Sequence, residues 1–158
     1  KYINEIILKS FVAQTDIDVK IIRPSAVYGP GNDFNPEVAN VIPLFITKTA
    51  RNNEDIVLRG KGARKLQFIY IDDLVNNIVA IRHSRKNFFT VGNNQATTIK
   101  NLASKIIELM GANIKVRADI HYKDKPTKLE KFNNAVKPKI DLDLGLRKTV
   151  EYYKANYL

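Results

Sequence analysis

Val19-Lys-Ile-Ile-Arg-Pro-Ser-Ala-Val-Tyr-Gly-Pro-Gly31 is the stretch on which the fold turns. Val19 to Arg23 is short and rich in β-branched residues, and Pro24 then removes an amide donor. The pattern predicts a buried strand that ends at the proline. Residues 25–38 follow with Gly29, Pro30, Gly31, Asn32, Asp33, Asn35 and Pro36, the composition of a long loop. In open α/β sheets ligands sit beyond the carboxyl ends of strands. A Gly-Pro-Gly turn at that place brings backbone close to whatever fills the crevice. An ordinary strand-exit turn carries the same residues, so both readings stand at this point.

Working outward, strands and helices alternate. Ile3, Ile6, Ile7 and Phe11 recur at helical spacing, which predicts a helix over 1–14, broken by Asp16 and Asp18. Downstream, Val41 to Ala50 reads as a helix with Pro43 in its first turn. Asp55 to Leu58 and Phe68 to Ile71 read as short strands, with Gly60-Lys-Gly62 as a turn. Asp72 or Asp73 is expected to cap a helix whose core face is Leu74, Val75, Ile78, Val79 and Ile81. Asn87 to Val91 is a strand, closed by Gly92-Asn-Asn94. Thr98 caps a helix with Ile99, Leu102, Ala103, Ile106, Ile107 and Met110 inside and Gly111 at its stop. Ile114 to Val116 and Ile120 to Tyr122 are candidate strands, 123–139 a polar loop. Asp141 caps a last helix with Leu142, Leu146, Val150, Tyr153 and Tyr157 inside. The alternation predicts an α/β fold.

Composition narrows the function. The chain has 158 residues, 44% hydrophobic and 27% charged, which excludes fibrous and disordered classes and suits one domain or a large piece of one. It has no cysteine, hence no disulfide, thiolate metal site or cysteine nucleophile. That fits a reducing compartment, the cytoplasm, although many secreted proteins share it. No apolar run nears the ~20 residues a membrane helix needs. Asn4, Glu5 and Lys9 rule out a signal peptide at the N-terminus. The chain starts without methionine, inside a helical pattern, so it is expected to be a fragment or a trimmed chain. Lys and Arg total 26 against 16 Asp and Glu, a net charge of +10. The positive residues are scattered and no nucleic-acid motif accompanies them. An anionic small ligand is the better partner, and nucleic acid is disfavoured.

A second stretch, Gly60 to Leu74, carries Lys61, Arg64 and Lys65 on a glycine turn ahead of a strand and an acidic helix start. It reads as an anion-gripping loop or as a solvated turn. It is not a P-loop, because Gly-x4-Gly-Lys-Ser/Thr is absent. Asp72 and Asp73 are better read as helix caps than as a metal or acid/base pair. His83 and His121 show no ligand spacing, so no metal is expected.

Taken together, the segments resemble a family. Lys1 and Glu5 have the spacing of a Tyr-x3-Lys pair with a glutamate four residues past the lysine. Arg23 to Gly31 matches Arg-Pro-x-x-Val-Tyr-Gly-Pro-Gly, and Asn40-Val-Ile-Pro43 matches an asparagine before a proline. Gly60 to Leu74 matches Gly-x-Gly followed by Phe-Ile-Tyr-Val-Asp-Asp-Leu. Phe89 to Asn93, Thr98 to Ala103 and Pro138 to Tyr152 follow in the right order. The chain resembles the C-terminal half of the NAD-dependent epimerase/dehydratase family, the extended short-chain dehydrogenases that act on nucleotide sugars. It departs from the pattern in five places. The Gly-rich dinucleotide fingerprint is absent. The tyrosine position falls four residues before Lys1, and Tyr2 is out of register. Leu66 stands where the family has a diphosphate-gripping arginine. Ala26 stands where an asparagine is common. The chain is about a dozen residues short between Lys131 and Pro138.

The resemblance implies a division of labour. Rossmann-type elements at about 1–31 and 68–94 interleave with substrate-binding elements at about 32–67 and 95–158. Lys1 is the implied catalytic lysine, lowering the pKa of the tyrosine and holding the nicotinamide ribose of NAD or NADP. Pro24 and Ser25 contact the nicotinamide by backbone, and Asn40 bonds the nucleotide of a nucleotide-diphosphate sugar. Ile56 to Arg59 border the base, while Lys61, Arg64 and Lys65 offset the diphosphate. The parent enzyme is implied to be a homodimer, with the 1–14 helix in its contact and apolar surface left exposed in this chain. Without tyrosine and fingerprint the chain alone is expected to be inactive. The alternatives are a superfamily reductase on a non-nucleotide carbonyl, suggested by Leu66 and Ala26, and a non-enzymatic basic binding domain.

Overall fold

The computed structural model describes residues 2–51, 54–124 and 126–158. Twelve elements follow one another: α1 (Tyr2–Val12), β1 (Ile21–Pro24), β2 (Ala26–Tyr28), α2 (Val41–Arg51), β3 (Ile56–Arg59), β4 (Lys65–Tyr70), α3 (Ile71–Ile81), β5 (Phe88–Val91), β6 (Ala96–Thr98), α4 (Ile99–Met110), β7 (Val116–Asp119) and α5 (Leu142–Tyr157). The strands form three small sheets, β1-β5, β2-β4-β6 and β3-β7. Every pairing is parallel except β4 with β6. The mixed α/β class agrees with the sequence.

Two apolar cores lie on either side of β4. Phe68 and Tyr70 join a large core with Ile42, Phe45 and Ile46 of α2, Leu102 and Ile106 of α4, and Leu146, Val150 and Tyr153 of α5. Ile69, between them, joins a small core with Leu74, Ile81, Phe89 and Val91. Successive strand residues face opposite ways, so a strand buried on both faces must be apolar at consecutive positions. Tyr28 of β2 lies edge-on to Phe68 and Tyr70, with centroids 6.0 and 5.6 Å away. A Cβ on Gly145 of α5 would come within 2.1 Å of its Oη, so only glycine lets α5 approach this closely.

Several expectations need correction. The strand at 19–23 is only half-buried to exposed, because β1 pairs with β5 alone. The loop predicted at 25–38 contains β2, and β6 has no sequence signal because three residues show no periodicity. The predicted strand at 120–122 is not formed; the ladder runs instead from Val116 to Asp119, and Ile120 and Tyr122 are exposed. Leu142 is half-buried and Tyr157 exposed. Thr98 and Asp141 cap as expected, accepting from Asn101 N at 3.1 Å and Leu144 N at 2.8 Å. Gly111 stops α4 at φ 70°.

The largest correction concerns α3. Val75, Ile78 and Val79, predicted for the core, are exposed, whereas Asp73 and Asn77 are buried. Neither aspartate caps the helix: Tyr70 stands at the cap position with no side-chain bond. The Asp73 carboxylate instead accepts from Lys139 N at 2.9 Å and Ile140 N at 2.8 Å. Asn77 bonds both the N–H and the C=O of Val136, at 3.0 and 2.9 Å. These side chains tie down an extended strap at 126–140. From residue 131 to 140 exposed and half-buried positions alternate strictly, as an extended chain lying on a surface requires.

Replacing Asp73 by alanine leaves two strap amides without their charged acceptor. Asp73→Ala is expected to cost about 2–4 kcal/mol of unfolding free energy. Asp73→Asn, which keeps one acceptor oxygen, is expected to cost about half as much. Urea unfolding of the three proteins measures both.

Candidate functional site

The Glu5 carboxylate of α1 receives two hydrogen bonds from Arg23 of β1, at 2.6 and 2.5 Å. The guanidinium also lies over the Phe88 ring of β5, 4.9 Å from its centroid. This bidentate pair brings the first turns of α1 to the carboxyl end of β1. It joins two motifs that the sequence shows separately. The Arg23 bonds hold the Glu5 carboxyl below the usual carboxylate range.

At that strand end a cleft of about 430 Å³ opens. Pro24, Ser25 and Ala26 form one wall, Arg64 to Gln67 another, and the strap from Pro126 to Glu130 with Phe132 the third. Its described lining holds three cations, Arg64, Lys65 and Lys128, against the single carboxylate of Glu130. That balance favours an anion. Strand β1 can offer a ligand little donor capacity. Pro24 has no N–H, and that of Ser25 is donated to Val91 O at 2.8 Å. What remains is acceptor carbonyl and the Ser25 hydroxyl, whose buried oxygen has no hydrogen-bond partner among the described residues. A carbonyl and an unpaired hydroxyl suit a group with amide donors, as the carboxamide of a nicotinamide has. The residues present therefore fit an NAD(P) ring at this end.

The turn at 60–64 is less free than its composition suggests. Gly62 O and Arg64 O accept from Lys100 N and Ile99 N, both at 3.0 Å, so α4 uses them for its own first amides. Lys61 N donates to Asp124 at 3.0 Å. Arg64 and Lys65 remain exposed at the cleft. Leu66 packs against the large core.

Pro24, Ser25, Arg64 and Lys65 thus meet at one cleft. Two further predicted residues are not among its lining. Asn40 is exposed just before α2, where its carbonyl accepts from Leu44 N at 2.9 Å. Arg59 is exposed at the end of β3, its guanidinium 5.6 Å from the Tyr122 ring centroid. Lys1 lies outside the described residues. The strap wall had no motif to announce it; only its unusual Lys, Asn and Pro content marked it.

Tyr28 and Gly29 in Val-Tyr-Gly-Pro serve the fold. Burial pushes the Tyr28 phenol up, away from what a base needs. Gly29, at φ 147°, faces Ile71, whose Cγ2 lies 2.6 Å from where a Cβ would stand. The close approach is to the first residue of α3. A second cleft of about 460 Å³ lies beside Tyr28 and the start of α5. Lys105 and Asp143 on its rim pair with each other, so it offers no free cation to a phosphate. Among the described residues no His/Cys/Asp/Glu group is arranged to hold a metal, and no helix is long and apolar enough to cross a membrane.

The chain is similar to known proteins along its length. Residues 1–92 match the model of the NAD dependent epimerase/dehydratase family. GDP-L-fucose synthase 1 of Arabidopsis thaliana is 31% identical over 84% of this chain and 45% of its own length. The dTDP-D-glucose 4,6-dehydratase of Homo sapiens is 28% identical over 97% of this chain and 46% of its own. The crystal structure of UDP-glucose 4-epimerase from Thermotoga maritima, with UDP-glucose, superposes with a TM-score of 0.89. It is 25% identical and covers all of this chain and 53% of that one. The chain spans about half the length of the curated relatives it matches.

The Glu5–Arg23 pair has a pH signature. A carboxyl whose pKa is depressed on folding stabilises at pH above its unfolded value, about 4.3. The contribution disappears as pH falls through the lower folded value. Amide protection in α1 is therefore expected to drop on acidification below about pH 4. Glu5→Gln is expected to lower protection at neutral pH and to remove that dependence. Hydrogen exchange of both proteins at matched pH reads this.

Proposed function

Because this chain belongs to the NAD dependent epimerase/dehydratase family, we propose that it is the C-terminal, substrate-binding part of an NAD(P)-dependent nucleotide-sugar epimerase or dehydratase. The carrying observation is the cleft where Pro24 and Ser25 meet Arg64 and Lys65. It pairs an acceptor-rich strand end with a cationic wall, as a nicotinamide beside a nucleotide diphosphate requires. The two cores support the division read from the sequence. All residues of the small core fall within 1–31 and 68–94, and most of the large one falls within 32–67 and 95–158.

The proposed chemistry removes a proton from a sugar hydroxyl and a hydride from the carbon that bears it, leaving a transient ketone. When bound, NAD(P) would supply the acceptor for that hydride and the means of its return to the sugar. The proton goes to a tyrosine four residues before Lys1. A free phenol has a pKa of ~10, and an ammonium close by lowers it by roughly 1–3 units. That is the proposed task of Lys1. Glu5 supports it by holding the same helix to β1. Arg64 and Lys65 offset the diphosphate by charge-assisted bonds. Asn40 and Arg59 are assigned the nucleotide, outside the cleft that Arg64 borders. The exposed Ile3, Ile7 and Phe11 of α1 suit a homodimer contact. A cytoplasmic location belongs to the same proposal.

Leu66, turned to the core, favours a second reading in which the substrate is a carbonyl compound without a nucleotide. A thermal-shift panel of UDP, GDP, dTDP and ADP separates the two. Ligand at ten times Kd stabilises by about 1.4 kcal/mol, a rise of about 3–6 °C for a chain of this size. Arg64→Ala together with Lys65→Ala is expected to abolish the rise. No response to any nucleotide sinks the first reading. The 158 residues contain neither the base nor the fingerprint, so this polypeptide alone is expected to turn over none of UDP-glucose, GDP-fucose or dTDP-glucose in the presence of NAD. Chromatography of the sugar nucleotides after incubation measures it.

A further inference from the structure

We propose that Gln67 is a positioning residue of the cleft, holding the strap so that Lys128 faces the wall of Arg64 and Lys65. The inference rests on the reading of this cleft as a diphosphate site.

Gln67 lies on β4 between Leu66 and Phe68, which pack into the large core. Its side-chain amide copies a strand partner. Oε1 accepts from Glu130 N at 2.9 Å, and Nε2 donates to Glu130 O at 3.0 Å, with a longer bond to Asn94 O at 3.5 Å. One further bond holds this limb of the strap to β4: Lys65 N donates to Thr127 Oγ1 at 3.0 Å. Lys128 sits between the two attachments, so they set where its backbone lies. The strap's next anchors are on β5. Asn133 bonds Thr90, and Asn134 bonds both the N–H and the C=O of Gly92 at 2.9 Å. A Cβ at Gly92 would meet the Phe132 ring at 2.5 Å, so the strap lies directly on that strand end.

An asparagine or glutamine that pairs a backbone N–H and C=O at once is an adaptable fastening. It needs no continuous ladder, and one side chain controls it. Glutamine is required at 67 by reach: apart from the Lys65 amide, β4 binds this limb through the side chain, because the strand is paired with β2 and β6. Without it the limb from Pro126 to Glu130 keeps, among the described residues, only the Thr127 bond to β4. The one strap cation among the described lining residues then loses its fixed place.

The test uses the full chain with inorganic pyrophosphate, which carries the charge common to nucleoside diphosphates. Wild type, Gln67→Ala and Gln67→Asn, one methylene too short to span the gap, are compared by calorimetry and hydrogen exchange. Both variants are expected to bind pyrophosphate about tenfold more weakly, the effect of roughly one lost hydrogen bond. Exchange is expected to rise at 126–130 while the amides of α4 and α5 keep their protection. Gln67→Glu supplies a second readout. Ionised, it cannot donate to Glu130 O. Below about pH 4.5 the carboxyl protonates, regains a donor and is expected to restore protection at Glu130 to the wild-type level at that pH. Wild-type binding with unchanged affinity in the alanine and asparagine variants overturns the inference and leaves the diphosphate reading intact. Loss of protection throughout the large core overturns it in favour of a general structural role. Failure of the wild-type chain to bind pyrophosphate overturns both.

Discussion

Everything in this molecule is arranged around a strand that must be apolar on both faces. Phe68 and Tyr70 face the large core and Ile69 the small one, and all three are buried. A charged side chain at any of them would lie unpaired in one core or the other. The same strand begins at the cleft, with Lys65 and Gln67 beside the strap, and runs into α3, whose Asp73 and Asn77 hold the strap's far end. One continuous segment, 65–77, therefore sets the boundary between the cores, the cationic wall of the cleft and the anchorage of its third wall.

The elements with strong local signals were legible in the sequence. Helices α4 and α5 were readable because their apolar positions recur at helical spacing and Thr98 and Asp141 cap them, and α2 because Pro43 suits a first turn. The faces of α1 and α3 were not. Val75, Ile78 and Val79 obey the periodicity of a buried face, yet the buried positions are Asp73 and Asn77. Hydropathy alone cannot show a carboxylate that is buried because two backbone amides bind it. The strap was opaque for the same reason. Its bonds run from side-chain amides to backbone, so it has no ladder and no helical period to detect.

The site was legible as motifs and not as a shape. Arg23-Pro24-Ser25 and Gly60 to Leu74 each carried a bland alternative, and the fold brings Pro24, Ser25, Arg64 and Lys65 of both to one cleft. Within each motif the roles divide differently from their appearance. Tyr28 and Gly29 serve packing, the 60–64 carbonyls serve α4, and only the residues at the strand ends are left to face the cleft. Glu5 and Arg23 show the reverse: two separate signals prove to be a single contact.

The two cores differ in how complete they are, and that difference bears on function. Among the described residues fifteen buried ones make the large core, but five make the small one, too few to hold a parallel two-stranded sheet by themselves. The helices associated with β1 and β5 carry the surplus apolar surface: Ile3, Ile6, Ile7 and Phe11 on α1, and Val75, Ile78 and Val79 on α3. Parallel sheets are stable when covered on both faces, so this surface is shaped to be covered. The large core, by contrast, closes on itself and carries Arg64, Lys65 and the strap. The cationic half of the cleft is thus built on the self-sufficient part. The half that presents Pro24 and Ser25 rests on a sheet in need of neighbours, and anion binding should accordingly persist in conditions that loosen α1 and β1.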